Sequence, residues 1–396
     1  MMKWKQRTGI LVGNMFEFYD IAVYAAISTY LAEILTSKNV DHAETLIWGI
    51  FGLRFVIRPL GGTIIGWFAD LYGRKKALIV TSSLTGSATL LMAMLPTGNT
   101  WFPFFLLILQ MVQAFSFGGE YPTAISYLLK DEKKQTIISA AIVASSVAGV
   151  ILSLIVTTSL SRVLTHDDML QYGWRIPLAI GAVNIAISFW FRWRLKVETT
   201  TVPKGSIAWY RVVRIFLMTV PAAVVFYVQS LSVSMVKMYL PEGNTRELFP
   251  LIANVALFAI LLISGIIIQK FSTPEKAMRA GIFSLICMAT PLYMGLSSEY
   301  VLIVAAAQFL LTVLASIILS TLAILLFKES LQGQHQSAEL GLGYNLALSV
   351  FGGLSPLVIS LLIPVSPILV GGYVALSGLV WLAGCYIPGG NNKGEA

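Results

Sequence analysis

The sequence predicts an all-α membrane protein with about twelve transmembrane helices in two six-helix lobes. Hydrophobic residues make up 57% of its 396 residues and charged residues only 12%, with a mean hydropathy of +0.79. A soluble domain is roughly half apolar and about a quarter charged. The apolar residues form continuous runs of about 20 residues, which is the length of a helix that crosses a bilayer. Lys and Arg residues concentrate in every second loop, a pattern typical of a chain that crosses a membrane repeatedly.

Other classes of protein fit this composition poorly. A soluble protein would have to bury one apolar run after another, and a membrane β-barrel would alternate polar and apolar residues within each run. The net charge of +8 lies mainly in the loops, so we expect no nucleic-acid partner. The chain has no phosphate-binding glycine loop, metal-ligand spacing or nucleophile elbow, so we expect no cofactor and no enzyme activity. Cys287 and Cys385 lie in apolar runs and are expected to be buried and inert.

The apolar runs locate the predicted helices. The basic start of the chain precedes a run that contains Glu17 and Asp20, so we interpret this run as a spanning helix rather than a cleaved signal. The last two runs are separated by "PVSP" and are predicted as two helices. The predicted spans lie near residues 9–36, 46–69, 75–95, 101–129, 137–164, 173–195, 213–240, 247–270, 278–296, 299–327, 337–363 and 364–388.

The positions of the cations predict the orientation. If both termini are cytoplasmic, most of the 27 Lys and Arg residues lie in cytoplasmic loops, as the positive-inside rule requires. These cations include Arg74, Lys75 and Lys76 after the second helix, and Arg192 and Arg194 at the end of the sixth. We therefore expect a multi-pass protein of a bacterial inner membrane with both termini inside.

The longest polar connection runs from Arg192 to Arg214 and divides the helices into six and six. Two halves of six helices are typical of transporters built from repeats. The predicted domains are an N-terminal lobe at 1–196, a cytoplasmic linker at 197–212 and a C-terminal lobe at 213–396.

The segment "RPLGGTIIGWFADLYGRKKAL", which begins at Arg58, ends the second helix with a charged turn. Gly62 and Gly66 are four residues apart, so they allow another helix to approach closely. Asp70 can pair with Arg74 or accept hydrogen bonds from a helix N-terminus. A latch between helices is one interpretation of this turn, and a topological anchor is the other. The residues of the charged turn are Asp70, Gly73, Arg74, Lys75 and Lys76.

This segment resembles the loop between helices 2 and 3 of the major facilitator superfamily. Four more segments, together with "RPLGG", resemble the metabolite:proton symporters of that superfamily, which include proline/betaine, α-ketoglutarate, citrate and shikimate permeases. They are "GNMFEFYDIAVY", "QAFSFGGEYPTA", "YGWRIPLAIG" and "GYNLALSVFGGLSP". The resemblance implies the major facilitator fold and proton-coupled uptake of a small carboxylate or zwitterion by alternating access. It also implies a monomer whose partners are an organic acid or a proline/betaine-like zwitterion, a proton and the lipid bilayer.

Two other functions fit the same fold. One is an exporter of a metabolite or siderophore, because the fold permits transport in either direction. The other is a membrane sensor that transports nothing. Solute flux into proteoliposomes separates the sensor from both transporters.

Charged residues inside the predicted helices mark the candidate site, since a charge at the bilayer centre costs about 3 kcal/mol or more and faces a cavity or a partner. Glu17 and Asp20 are three residues apart on one face of helix 1. Helix 4 has Glu120, and helix 2 has Arg54 and Arg58. The three carboxylates are the candidate carriers of the coupled proton. The alternative is that each is a static partner of an arginine or, for Glu120, part of helix packing.

The arginines of helix 2 differ in their expected roles. Arg58 belongs to the family pattern, so pairing with a carboxylate of helix 1 or 4 is implied. At Arg54 relatives usually have a small residue or proline, and at Gln110 they usually have Arg or Lys. Our hypothesis is that Arg54 supplies the substrate-binding charge that Gln110 lacks; the alternative is that Arg54 snorkels or pairs internally. The predicted substrate-binding residues are Arg54, Arg58, Gln110, Gln113, Tyr344 and Asn345.

Some residues depart from the family pattern at the expected inner gate. Lys130 stands where relatives usually have Glu. "KESLQGQHQSAE" lacks the usual proline and arginine and has His335 and Gln336 instead. We expect His335 to be a solvated loop residue. The predicted gating residues are Asp70, Gly73, Arg74, Lys75 and Arg175.

Overall fold

A computed structural model describes residues 4–38, 40–98, 101–130, 133–195, 205–239 and 244–386. All regular secondary structure in these residues is helical. The helices are α1 (Trp4–Thr36), α2 (Ala43–Tyr72), α3 (Arg74–Met94), α4 (Phe102–Leu129), α5 (Gln135–Val163), α6 (His166–Asp168), α7 (Arg175–Ala182), α8 (Asn184–Trp193), α9 (Trp209–Tyr239), α10 (Asn244–Phe271), α11 (Pro274–Leu296), α12 (Val301–Ser330), α13 (Gln336–Ala347), α14 (Gly353–Leu362) and α15 (Pro367–Cys385).

The predicted all-α membrane fold is confirmed. Among the described residues, eleven helical segments are long and apolar enough to cross a membrane. The sixth predicted span is also helical, but Val183 divides it into α7 and α8, each of which is too short to count alone. The division is slight, because the backbone of Val183 keeps right-handed helical angles, with φ −58° and ψ −23°.

Two spans contain π-helical turns that the apolar pattern does not predict. Residues Met169–Gly173 precede α7, and residues Leu348–Gly352 join α13 to α14. In the second case the ring of Tyr227 packs against Gly352, where a β-carbon would overlap it. Such turns are rare and bend the helix that contains them.

The chain divides into two compact units, residues 1–128 with 145–203 and residues 129–144 with 204–396. The start of α5 therefore belongs to the second unit. There the backbone N–H of Thr136 donates to Oε1 of Gln269 at 3.0 Å, and that of Ile324 donates to Oγ of Ser139 at 3.2 Å. The predicted lobe boundaries stay a prediction, and residues 196–204 of the linker region lie outside the described residues.

Glycines let the helices of the first unit approach closely. A β-carbon at Gly118 of α4 would overlap the carbonyl oxygen of Arg58 and lie 2.7 Å from the nitrogen of Gly62, both in α2. A β-carbon at Gly61 would overlap the carbonyl of Phe115 in the same way. The predicted close approach of a helix at Gly62 is therefore present, and it brings α2 and α4 into backbone contact.

The expectation that the two cysteines are buried is wrong. Cys287 of α11 and Cys385 of α15 are both free and exposed at the protein surface. An apolar run does not distinguish a side chain that faces the protein interior from one that faces lipid, because both environments are apolar.

An ion pair joins the end of α1 to the short helix α6. Nε2 of His166 lies 3.0 Å from both carboxylate oxygens of Glu33. The hydrogen bond to Glu33 and the negative charge of that carboxylate raise the pKa of His166 above its usual range. Asp167 adds to this rise. Any stability gained from the pair is present below about pH 6.5, the pKa of an unfolded histidine, and is lost as the pH rises through the folded pKa.

We therefore expect His166 to titrate above about pH 6.5 and the substitution Glu33→Gln to lower its pKa towards that value. The measurement is an NMR pH titration of histidine-labelled protein in detergent, which is tractable because the chain has 3 histidines. The NMR signals of His42 and His335 serve as internal controls and should be the same in wild-type protein and in Glu33→Gln. An unchanged His166 titration in the variant would contradict the ion pair.

Candidate functional site

In the described part of the first unit, six charged side chains are at most 3% exposed, and we call them the buried charge cluster. The positive members come from α2 and α8, and the negative members come from α1 and α4. The cluster consists of Glu17, Asp20, Arg54, Arg58, Glu120 and Arg192. Five of these were predicted as site residues, and Arg192 was not.

Glu120 and Arg192 form the tightest contact of the cluster. The Nη2 atom of Arg192 pairs with Oε1 of Glu120, and Nη1 donates to the carbonyl of Leu78 in α3. Gly13 of α1 borders the guanidinium, and a β-carbon there would overlap it. This pair therefore fixes α8 against α1, α3 and α4.

The structure thus corrects the placement of Arg192. The positive-inside count placed it with the cytoplasmic loop cations, whereas its side chain is 0% exposed and points into the unit. A signal was present in the sequence, since Arg192 lies inside the predicted apolar run 173–195. Arg194, two residues later, is exposed as expected, with its guanidinium 4.2 Å from the ring centre of Trp190.

Asp20 is held by neutral hydrogen-bond donors. Its Oδ2 atom accepts from Oγ1 of Thr89 at 3.0 Å and from Nε2 of Gln113 at 3.4 Å. Gln113 also donates to Oγ1 of Thr89 at 2.8 Å, which links the three side chains. Gly181 of α7 lies against Oδ1 of Asp20, so a β-carbon at this position would overlap the carboxylate.

Thr89 contacts the buried charge cluster, and the sequence analysis did not predict it as a site residue. It is 0% exposed and follows Thr81 and Thr85 at intervals of four residues, so all three lie on one buried face of α3. This spacing of hydroxyl groups was available in the sequence as a signal for a polar helix face.

Glu17 has the weakest set of partners among the three carboxylates. Neither of its oxygens has a hydrogen-bond partner among the described residues, although the side chain is fully buried. Its nearest cationic atom in an ion pair is Nη2 of Arg58, at 3.9 Å from Oε1. The Nε and Nη2 atoms of Arg58 also have no hydrogen-bond partner in the described chain. The charges of Glu120, Arg192 and Arg54 act on Glu17 as well.

Arg54 lies among aromatic rings. Its guanidinium carbon is 5.5 Å from the ring centre of Phe117, 5.6 Å from that of Phe51 and 5.9 Å from that of Tyr24. Its charge also acts on Asp20. Gln110 is the residue whose missing positive charge Arg54 was predicted to replace. Its amide nitrogen lies 2.9 Å from Sδ of Met92.

The sequence model of the Major Facilitator Superfamily matches residues 10–356, which is most of the chain. The chain belongs to the major facilitator superfamily. It is thus a multi-pass membrane transporter and not an enzyme. The resemblance to this superfamily that the sequence motifs indicated is confirmed.

Relatives of known sequence agree with this membership. A putative proline/betaine transporter of Staphylococcus aureus is 26% identical over 378 residues, which is 89% of this chain and 80% of the relative. The α-ketoglutarate permease of Escherichia coli K12 is 29% identical over 372 residues, covering 87% of this chain and 84% of the permease.

Solved structures share the fold. The proton:xylose symporter XylE aligns with a TM-score of 0.75 at 13% identity, covering 97% of this chain and 96% of that one. The human organic anion transporter MFSD10 aligns with a TM-score of 0.70 at 11% identity, covering 98% and 100%. At this level of identity the alignments show the fold alone.

In this major facilitator the charged turn after α2 depends on Gly73. Its φ of 94° is in the left-handed region that favours glycine, and this single residue joins α2 to α3. Lys75 donates from Nζ to the carbonyl of Trp193 at 2.6 Å, so it caps the end of α8. Arg74 is buried, and Asp70 is partly buried. The gating role of these residues stays a prediction.

Arg175 caps a different helix end. Its Nη1 atom donates to the carbonyl of Ala93 in the last turn of α3 at 2.6 Å, and its guanidinium lies 4.3 Å from the ring centre of Trp174. Cations satisfy the free carbonyls at helix C-termini in this way. A role in gating was predicted for Arg175, and it stays a prediction.

The predicted site residues of the second unit lie on α13. Tyr344 is 5% exposed and Asn345 is 0% exposed. The amide of Asn345 donates to the carbonyl of Gly341 at 2.7 Å, one turn earlier in the same helix. Their role in substrate binding stays a prediction.

The second unit has two buried carboxylates that pair with partly buried arginines near the start of α9. Arg211 pairs with Glu339 at 3.3 Å, and Arg214 pairs with Glu329 at 3.2 Å. Glu339 also accepts the backbone N–H of Ala208 at 3.0 Å, at the end of the linker. These contacts hold the linker end and the starts of α9 and α13 together.

The expectation that His335 is solvated is wrong. The residue is 7% exposed, and its Nε2 atom lies 3.0 Å from the carbonyl oxygen of Gly205 in the linker. Because a carbonyl only accepts hydrogen bonds, Nε2 carries a hydrogen in this contact. The adjacent Gln336 begins α13, and Lys130 is exposed at the end of α4.

Proposed function

We propose that this major facilitator takes up a small carboxylate or zwitterionic metabolite together with a proton, by alternating access. The proposal rests on Glu17, a fully buried carboxylate that has no hydrogen-bond partner among the residues that the structure describes and lies 3.9 Å from the guanidinium of Arg58. A buried charge without hydrogen bonds is costly, and protonation removes that charge. Glu120 and Asp20 have closer partners, so Glu17 is the proton carrier that the contacts favour.

The charges of the cluster couple the proton to an anion. With all six groups ionised, the carboxylates and guanidiniums cancel. A monovalent anion that binds alone adds one uncompensated negative charge to a poorly solvated site, which is unfavourable. A proton on Glu17 removes one negative charge, restores the balance and releases Arg58 to bind the carboxylate of the substrate. Each ligand therefore raises the affinity for the other, as linkage requires.

We also propose that the protein lies in a bacterial inner membrane with both termini in the cytoplasm. The distribution of Lys and Arg along the sequence supports this orientation. With a proton gradient directed inwards, the coupled cycle then accumulates the substrate inside the cell.

The test is uptake of radiolabelled solutes by proteoliposomes under an imposed inward proton gradient. Proline, betaine, α-ketoglutarate, citrate and shikimate are supplied separately, with and without a protonophore. We expect accumulation of at least one solute that the protonophore abolishes. Equal uptake with and without the gradient would contradict proton coupling. Flux only out of the vesicles would indicate export, and no flux of any solute would favour a sensor.

A further inference from the structure

The guanidinium of Arg54 lies 5.5–5.9 Å from the centres of three aromatic rings. We call these rings, which are Tyr24, Phe51 and Phe117, the aromatic cage. Tyr24 is 1% exposed and Phe117 is 0% exposed. The rings of Tyr24 and Phe51 stack in parallel, with centroids 6.0 Å apart and an interplanar angle of 6°. The three rings come from α1, α2 and α4.

Aromatic rings around a cation are the arrangement by which proteins recognise quaternary ammonium groups. In this chain the cage holds the guanidinium of Arg54, at 5.5–5.9 Å from each ring centre. The cation is covalently part of the protein and 3% exposed. A ligand with its own ammonium group would therefore be repelled by the guanidinium of Arg54, which lies beside the rings that could otherwise bind the ammonium group.

The same guanidinium is suited to a ligand of opposite charge. It presents up to five N–H donors in a planar fork that matches a carboxylate. Arg54 and Arg58 are one turn apart on α2, so both guanidiniums extend from the same face of that helix towards α1 and α4. The site thus offers two cations to an anion and no vacant aromatic cage to an ammonium group.

We propose that Arg54 determines the substrate class: the transporter binds organic acids that have no fixed positive charge, and it excludes betaines because Arg54 fills the aromatic cage. This inference rests on the proposed function and chooses between its two classes of solute. The named relatives include transporters of both kinds, a putative proline/betaine transporter and an α-ketoglutarate permease.

The test is equilibrium binding of radiolabelled α-ketoglutarate, citrate, shikimate and glycine betaine to the purified full chain in detergent. Because no gradient is applied, this assay is independent of proton coupling. The binding of each solute can therefore be measured even if the protein is not a symporter. Wild-type protein should bind α-ketoglutarate and show no saturable binding of betaine. The substitution Arg54→Gln should weaken α-ketoglutarate binding at least tenfold and create saturable betaine binding, because it empties the cage.

Two further variants test the cage itself. Adding Phe117→Leu to Arg54→Gln should remove the betaine binding that the single variant gained, while α-ketoglutarate binding stays weak. Arg54→Lys keeps a cation in the cage, so it should still exclude betaine. Size-exclusion profiles and melting temperatures identify any variant that does not fold, and Arg54→Met then replaces Arg54→Gln.

Several results would overturn the inference. They are saturable betaine binding by wild-type protein, binding of none of α-ketoglutarate, citrate and shikimate by wild-type protein, unchanged α-ketoglutarate affinity in folded Arg54→Gln, and no gain of betaine binding in that variant. The wild-type measurements alone are decisive against the proposal if the substituted proteins do not fold.

Discussion

The substitution Arg192→Met is expected to destabilise the transporter by about 3–5 kcal/mol, because it leaves Glu120 charged, buried and without its close partner. Arg192 also donates to the carbonyl of Leu78, so the substitution removes a contact with α3 at the same time. The measurement is the melting temperature of the purified protein in detergent, together with the fraction that elutes as a single species. We expect a large fall in both quantities.

Two variants separate the ion pair from the simple loss of a cation. Arg194→Met removes an exposed cation two residues away and should melt close to wild type. The double substitution Arg192→Met with Glu120→Gln removes both charges and should recover much of the lost stability, because no buried charge then lacks its close partner. If Arg192→Met melts like Arg194→Met, the buried ion pair is not a stabilising feature of this protein.

The fold was largely predictable because a bilayer imposes a simple length requirement on the sequence. A helix must present about 20 apolar residues to cross the hydrocarbon core, and this chain has run after run of that length. Details of the backbone inside a run were not predictable. The break at Val183 and the π-helical turn at Leu348–Gly352 depend on local packing, and an apolar run continues unchanged through both.

The candidate site was predictable where the spacing of residues along a helix determines which way their side chains point. Glu17 and Asp20 are three residues apart, so they had to share a face of α1, and both are buried. Arg192 was wrongly predicted to be a cation of a cytoplasmic loop, because the positive-inside rule counts a cation by its distance from a helix end. It gives no information about whether the side chain points to water or into the protein.

His335 shows a second limit of the sequence. Polar neighbours on both sides indicated a solvated loop, whereas the residue is buried against the linker carbonyl of Gly205. This contact joins positions 130 residues apart. A single sequence contains no signal for such a pairing, because the pattern around each residue depends only on its near neighbours in the chain.

The substitution Glu17→Gln is expected to abolish proton-driven accumulation while leaving exchange of substrate across the membrane. Glutamine has the shape of a protonated glutamate and stays neutral, so it imitates the protonated carrier at every pH. Arg58 is then permanently released from its partner at 3.9 Å, and the substrate can bind without a proton. The variant should therefore bind and exchange substrate but no longer gain from the gradient.

Two assays on the same proteoliposomes test this prediction. Accumulation under an inward proton gradient should fall at least tenfold, to the level of wild-type protein with a protonophore. Counterflow, in which unlabelled substrate inside drives labelled substrate in, should stay within a few-fold of wild type. Glu33→Gln changes a half-exposed carboxylate of the same helix, outside the buried charge cluster, and should retain full accumulation.

The comparison of the two assays also assigns the proton to one carboxylate. Asp20→Asn and Glu120→Gln should disturb binding or stability rather than coupling alone, since the first loses the charge that Thr89 and Gln113 hold and the second leaves Arg192 buried without its partner. A Glu17→Gln variant that still accumulates substrate in a protonophore-sensitive manner would remove Glu17 as the carrier. In that case a loss of accumulation with retained counterflow in Asp20→Asn would transfer the role to Asp20.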